Sequence, residues 1–128
     1  MRLPEVAASY HYIIERDGEV FKCVPTSRKA WHAGKSVGPE GSDVNRYSIG
    51  IAFANLNDGK EVITAKQWDA ARQLCIRLKE AYPIEWIVTH FGISYPRKTD
   101  PRGFNLELFA KGLANVKTWY KPGVPNVT

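Results

Sequence analysis

His90, Lys98 and Asp100 lie within one short stretch of the sequence. An imidazole nitrogen and a carboxylate oxygen are borderline-hard donors that suit zinc. A lysine beside such a pair is a cation placed to steady negative charge developing on a substrate oxygen. Residues two apart in an extended segment point the same way, so Lys98 and Asp100 can face one site. Spacing alone leaves ordinary loop hydrogen bonding open for the His–Asp pair, and no short zinc motif such as HExxH occurs. Two further histidines, His11 and His32, sit in the first half. Tyr10 and Tyr12 share one face of a predicted strand with His11 on the other, and either tyrosine fits half-buried packing with a wet hydroxyl. Trp31 and His32 fit a packed aromatic beside a hydrogen-bonded imidazole equally well.

These residues need elements to hold them. Tyr12, Ile13 and Ile14, then Asp17-Gly18, then the alternation Val20, Phe21, Cys23, Val24 predict a hairpin over about 11–24. Residues 25–47 lack a period and are rich in glycine and proline, so they read as a long surface connection, and one of that length is functional. SIGIAFAN at 48–55 reads as a buried strand, with Ile49, Ile51 and Phe53 on one face and small residues on the other. Thr64 with Gln67 forms a capping box. Trp68, Ala71, Cys75, Leu78 and Tyr82 then fall at helical spacing over about 65–81, with Arg72, Gln73, Lys79 and Glu80 facing away and Pro83 as the stop. Trp86, Ile87 and Val88 read as a short strand ending at Thr89-His90, followed by a loop over 92–103. Asn105 caps a second helix with Leu106, Phe109 and Leu113 inward. The stretch 115–128 reads as an extended tail of a single domain covering 1–128. The sum is a small α/β domain with a mixed sheet and flanking helices.

Composition narrows the class. The 128 residues suffice for one core. Hydrophobic residues at 44% and charged residues at 24% argue against intrinsic disorder. No stretch approaches 18 apolar residues, so no membrane span is expected. No signal peptide is visible, so the chain is expected to be cytoplasmic as made. Two cysteines make no disulfide scaffold, and Cys23 and Cys75 are expected as separate thiols. Lys plus Arg is 18 against 13 Asp plus Glu, a formal charge of +5 that favours polyanions. No nucleic-acid-binding signature accompanies it, so nucleic acid is not the expected partner.

The strings SYHYIIERDGEVFKCVP, AWHAG, NRYSIGIAFAN and VTHFGISYPRKTDPRGF follow in that order over about residues 7–112. In this the chain resembles the zinc-dependent N-acetylmuramoyl-L-alanine amidases, which include lysozyme-type phage amidases, bacterial muropeptide amidases and peptidoglycan recognition proteins. The resemblance implies a mixed central sheet with flanking helices and a groove across one face. It implies hydrolysis of the lactyl–L-alanine amide of peptidoglycan by metal-activated water, with peptidoglycan or muropeptides as partners. A phage endolysin of this kind acts on the wall after release. By position, His90 and Asp100 match zinc ligands, Lys98 the catalytic lysine and Tyr10 the tyrosine that contacts the zinc-bound water. His32, Trp31, Arg97 and Thr99 are expected along the substrate groove.

Two departures from the family pattern matter. In the muropeptide branch a glutamate serves as base where this chain has Ala52, so only the Tyr-Lys arrangement fits. The family's first zinc ligand is a histidine on an opening strand, followed by a helix. Only eight residues precede Ser9-Tyr10 here, so the fold is expected to be N-terminally shortened. A His90/Asp100 site then falls short of three protein ligands, and zinc is expected to be weak or absent unless His32, His11 or a neighbouring chain supplies a donor. The alternative to an amidase is therefore a non-catalytic peptidoglycan-binding or regulatory domain on the same scaffold. The surface left uncovered makes self-association an expectation.

Overall fold

In the computed structural model, which describes residues 10–33, 35–58 and 60–125, the predicted hairpin is β1 (Tyr12–Ile14) paired antiparallel with β2 (Val20–Lys22). Gly18 takes the left-handed backbone that the turn needs, at φ 90°. Asp17 contributes through its side chain instead, accepting the Glu19 N–H at 2.9 Å. The Ser9 of the opening motif, Gly34 of AWHAG, Gly59 of the Asn57-Asp58-Gly59 turn and the last three residues of the expected tail lie outside the described residues.

The connection over 25–47 is more ordered than its composition suggests. It contains a two-residue ribbon, β3 (Val37–Gly38) and β4 (Gly41–Ser42), and a 3₁₀ turn, Val44–Arg46. Such short elements have no period to read. The next strand, β5 (Ile51–Phe53), is shorter than the predicted 48–55 and pairs parallel with β1, giving the order β2-β1-β5. Ile49, Ile51 and Phe53 are half-buried and pack against the core, as the alternation requires.

The helix α1 spans Ala65–Ala81 and carries both arms of the capping box. Ala71, Leu74 and Leu78 bury against Ile14 of the central strand and against Phe109 and Leu113. Two orientations differ from expectation. Tyr82 is an exposed cap residue, not part of the inward stripe. Arg72 does not face away. Its guanidinium donates to the Phe109 carbonyl at 3.0 Å and lies over the Trp68 and Phe109 rings, because its long stem can cover apolar surface.

The strand β6 (Trp86–Ile87) leads directly into a short helix, α2 (His90–Ser94), where the sequence predicted a strand end and a loop from 92. Thr89 makes the difference: its hydroxyl accepts the Gly92 N–H at 3.0 Å and starts the helix. Asn105 caps α3 (Leu106–Lys111) as predicted, and Leu106, Phe109 and Leu113 are buried. Within the expected tail, β7 (Lys117–Thr118) pairs parallel with β6. The result is a mixed α/β fold with a central sheet and flanking helices. Among the described residues no helix is long and apolar enough to cross a membrane, and both cysteines are free.

Candidate functional site

His90 is fixed by its place as the first residue of α2, one residue after the Thr89 cap. The chain then loops back, and the Phe91 N–H donates to the Asp100 carbonyl at 3.0 Å. That return sets the Asp100 carboxylate 2.7 Å from His90 Nδ1, in direct hydrogen-bond contact. Burial pulls the Asp100 carboxyl upward, but the His90 hydrogen bond and charge and the Lys98 ammonium outweigh it and hold the group below its ordinary value.

Lys98 reaches the same region, and its Nζ donates to the His32 carbonyl at 3.1 Å. The His32 ring stacks beside His90 with centroids 5.6 Å apart, and His32 Nδ1 meets His90 Nε2 at 3.3 Å. Burial, then the charges of His90, His11 and Lys98, lowers the His32 pKa to about 3, so the ring is neutral at ordinary pH. The Tyr10 ring stands 6.4 Å from His32 and 6.2 Å from His90. Burial and the Asp100 charge raise its phenol, so it stays protonated.

Tyr10, His32, His90 and Asp100 occupy one end of a cavity of about 530 Å³ that runs between β5 and β6 over the α1 residues Ala71, Cys75 and Leu78. The other residues expected along the groove do not line it. Trp31 is 52% exposed with the Lys29 ammonium over its ring. Arg97 turns its guanidinium to the carbonyls of Ala33 and Lys35. The Thr99 hydroxyl accepts from Arg102 Nε and Asn57 Nδ2. Arg97 and Thr99 thus serve the loops around the site, because backbone carbonyls and neighbouring polar groups there need partners.

Three positions beyond the expected site residues organise the site. Asn45, 3% exposed, accepts the N–H groups of both His32 and Ala33 on its Oδ1, at 3.0 and 2.8 Å. Ser48 Oγ sits 2.8 Å from His32 Nε2 and donates to the Val44 carbonyl at 2.7 Å. Gly50 packs so tightly under the His32 ring that a Cβ there would lie 2.5 Å from it. All three lie in the NRYSIGIAFAN string, with Ser48 and Gly50 on its small face where close-packed neighbours are expected, but which neighbour each meets appears only when this segment comes beside the AWHAG loop.

The donor set bears on the metal that the fold family implies. His90 Nδ1 and Asp100 Oδ2 are of the right type to hold an ion. His32 faces the other ring nitrogen of His90. His11 is committed to backbone, accepting the Gly50 N–H at Nδ1 and meeting the Arg28 carbonyl at Nε2. Among the described residues no group of three His, Cys, Asp or Glu converges to hold a metal. These residues alone do not fit a catalytic zinc centre.

Comparison with known proteins gives the same lineage. The family model for N-acetylmuramoyl-L-alanine amidase matches residues 2–103. The 1,6-anhydro-N-acetylmuramyl-L-alanine amidase AmpD of Escherichia coli K12 is 32% identical over 103 residues, 77% of this chain and 54% of that protein. The crystal structure of AmpDh3 from Pseudomonas aeruginosa in complex with anhydromuramic pentapeptide superposes with a TM-score of 0.75 at 28% identity, over 91% of this chain and 53% of that one. The E. coli amidase AmiD, solved with an anhydro-muramyl peptide, shares the fold at a TM-score of 0.79 and 24% identity, over 90% of this chain and 51% of that one. The chain spans about half the length of the curated relatives it matches. It belongs to the N-acetylmuramoyl-L-alanine amidase family.

Proposed function

We propose that this family member binds peptidoglycan fragments at the His90 end of its cavity, and that it hydrolyses them only where a third metal donor joins His90 and Asp100. The observation that carries the reading is that Tyr10, His32, His90 and Asp100 line one cavity, with Lys98 held next to them on the His32 carbonyl. The chemistry suits a muropeptide. Lys98 has three N–H donors and gives one to the His32 carbonyl, which leaves two for a carbonyl or carboxylate of the stem peptide. The protonated Tyr10 phenol on the cavity lining offers a neutral donor, and the apolar walls take the lactyl and alanyl methyl groups. The formal charge of +5 draws the chain to an anionic wall.

Lys98 favours the second reading, amide hydrolysis. A fixed ammonium at the site steadies an oxygen more as it gains charge than in the ground state. One experiment separates the two. The purified chain and its Lys98→Ala variant are mixed with soluble muramyl peptides and with peptidoglycan, with and without added zinc. Affinity and newly released L-alanine amino groups are both measured. The expected result is saturable binding without zinc, weakened roughly tenfold in the variant, equivalent to about 1.4 kcal/mol, and no amino-group release. Zinc-dependent release that falls roughly 10²–10³-fold in the variant would establish the amidase reading for this chain. Absence of binding under all conditions would end the proposal.

A further inference from the structure

We infer that His32 is the positioning residue of this site, setting the His90 ring with its own ring and the Lys98 ammonium with its own carbonyl. The inference deepens the binding reading above and rests on it for its effect on affinity. It comes from a frame of contacts that converge on one loop residue. The His32 backbone is pinned because Asn45 Oδ1 takes its N–H and the next one. A fixed peptide gives a fixed carbonyl, and that oxygen receives the Lys98 ammonium at 3.1 Å. The ring is held from three sides. Ser48 Oγ stands at Nε2, the backbone of Gly50 closes one face, and His90 Nε2 lies 3.3 Å from Nδ1.

His90 needs this support. Asp100 holds its Nδ1, but one hydrogen bond leaves an imidazole free to rotate about that contact. The second contact, at Nε2, fixes the ring plane: Ser48 Oγ gives its proton to the Val44 carbonyl and so takes the His32 Nε2–H, which leaves His32 Nδ1 as the acceptor and the His90 Nε2–H as the donor between the rings. His32 is 5% exposed, so no water competes strongly for that nitrogen. Side chains that support a functional group from behind determine how well it is placed, and a loosely held group loses part of its interaction with a ligand to ordering cost. Gly50 follows from the same logic: β5 must pass directly beneath the ring, and only a residue without a Cβ permits it.

The two ring nitrogens can be tested separately. Asparagine at 32 places a polar atom near the position of Nδ1, so His32→Asn keeps a partner for His90. Glutamine reaches toward Ser48 instead, so His32→Gln leaves His90 Nε2 without one. Both keep the backbone carbonyl that holds Lys98. The chain is labelled with ¹⁵N-histidine, and coupling through the hydrogen bond between the two rings is recorded in the parent. His90 ring signals and the affinity for a soluble muramyl peptide are then compared across the variants and Gly50→Ala. The expected result is a resolved coupling in the parent, with affinity lowered roughly tenfold in the glutamine variant and restored to within about threefold by asparagine. His90 ring signals are expected to shift in the glutamine and Gly50→Ala forms. No coupling in the parent, or a glutamine variant matching it in both His90 signals and affinity, would overturn the inference. If the parent binds no muramyl peptide, the binding reading fails, while the coupling and the His90 signals still decide the role of His32. If the glutamine variant does not fold, the parent coupling decides alone.

Discussion

A resemblance with fixed spacing singled out His90, Lys98 and Asp100 in the sequence, and the structure sets the His90 ring against the Asp100 carboxylate. Ser48 and Gly50 were legible only as a small strand face open to close-packed neighbours; their partners, like those of Asn45, lie between 12 and 39 residues away and cannot be read locally. Cys75 is a third kind of case: helical spacing placed it inward, but only the structure gives its chemistry. Burial, opposed by the nearby Arg72 guanidinium, pushes its thiol from an ordinary 9.0 up to about 11. A rise of that size cuts the thiolate fraction about a hundredfold at neutral pH, and the thiolate is the reactive form. Alkylation of Cys75 at pH 8 is therefore expected to be at least about a hundredfold slower in the folded chain than in urea, as followed by mass spectrometry. The linkage has a definite sign. Between pH 9 and 11 the unfolded thiol loses its proton while the folded one keeps it, so the unfolded state is favoured as pH rises through that window. Cys75→Ser should remove part of the alkaline loss of stability, leaving the part due to Tyr10, Tyr47 and Tyr120, whose pKa values are also raised. A Cys75 that labels at the unfolded rate in native buffer would contradict the buried placement.

The elements were read with uneven success, for physical reasons. α1 is long enough to display a period and has both a capping box and a proline stop, so its limits match the prediction. β3, β4 and β7 are two residues each with at most one apolar side chain, unlike the apolar runs around β1, β5 and β6, and the five residues of α2 are too few to show a helical period, which is why they escaped. The helix boundary also concealed a second task. Gln67 was read as a capping partner, yet it is fully buried and its Nε2 donates to the carbonyls of Ile14 and Ala54, both at 3.1 Å. One side chain thus closes the first turn of α1 and satisfies the C-terminal ends of β1 and β5. Gln67→Ala takes one of two partners from the Ile14 carbonyl, which keeps the Ala54 N–H, and strips the Gln67 partner from the Ala54 carbonyl and the Thr64 N–H, and an orphaned buried polar group costs about 1–3 kcal/mol. We expect the variant to lose roughly 2–4 kcal/mol in urea unfolding at unchanged m value. Thr64→Ala, which removes only the hydroxyl cap, should lose about 1 kcal/mol. Equal losses in the two variants would mean that the link from Gln67 to the sheet contributes nothing.

At the scale of the whole molecule, the sheet architecture accounts for the cavity. β5 pairs with β1 and β6 pairs with β7, and no strand among the described residues joins β5 to β6. The facing edges of those two strands form the cavity walls. In a parallel ladder the N–H and C=O of one residue point to the same edge, and successive residues alternate between edges. The Ala54 N–H donates to the Ile14 carbonyl and the Gly50 carbonyl accepts from Tyr12, which sets the even-numbered residues toward β1. Ile51 and Phe53 therefore turn their amides toward the cavity. Native-state hydrogen exchange reports such differences directly, since amides without a partner exchange without waiting for an opening of the fold. The amides of Ile51 and Phe53 are expected to exchange at least about a hundredfold faster than those of Ala52 and Ala54 in the isolated chain, although all four lie in one strand. The amides of the α1 core positions Ala71, Leu74 and Leu78 should be the slowest. If the chain self-associates through these open edges, raising its concentration should protect Ile51 and Phe53 and leave Ala52 unchanged. Uniform protection along the strand at every concentration would show that a partner already covers the edge, and the cavity would then not be the place where a muropeptide enters.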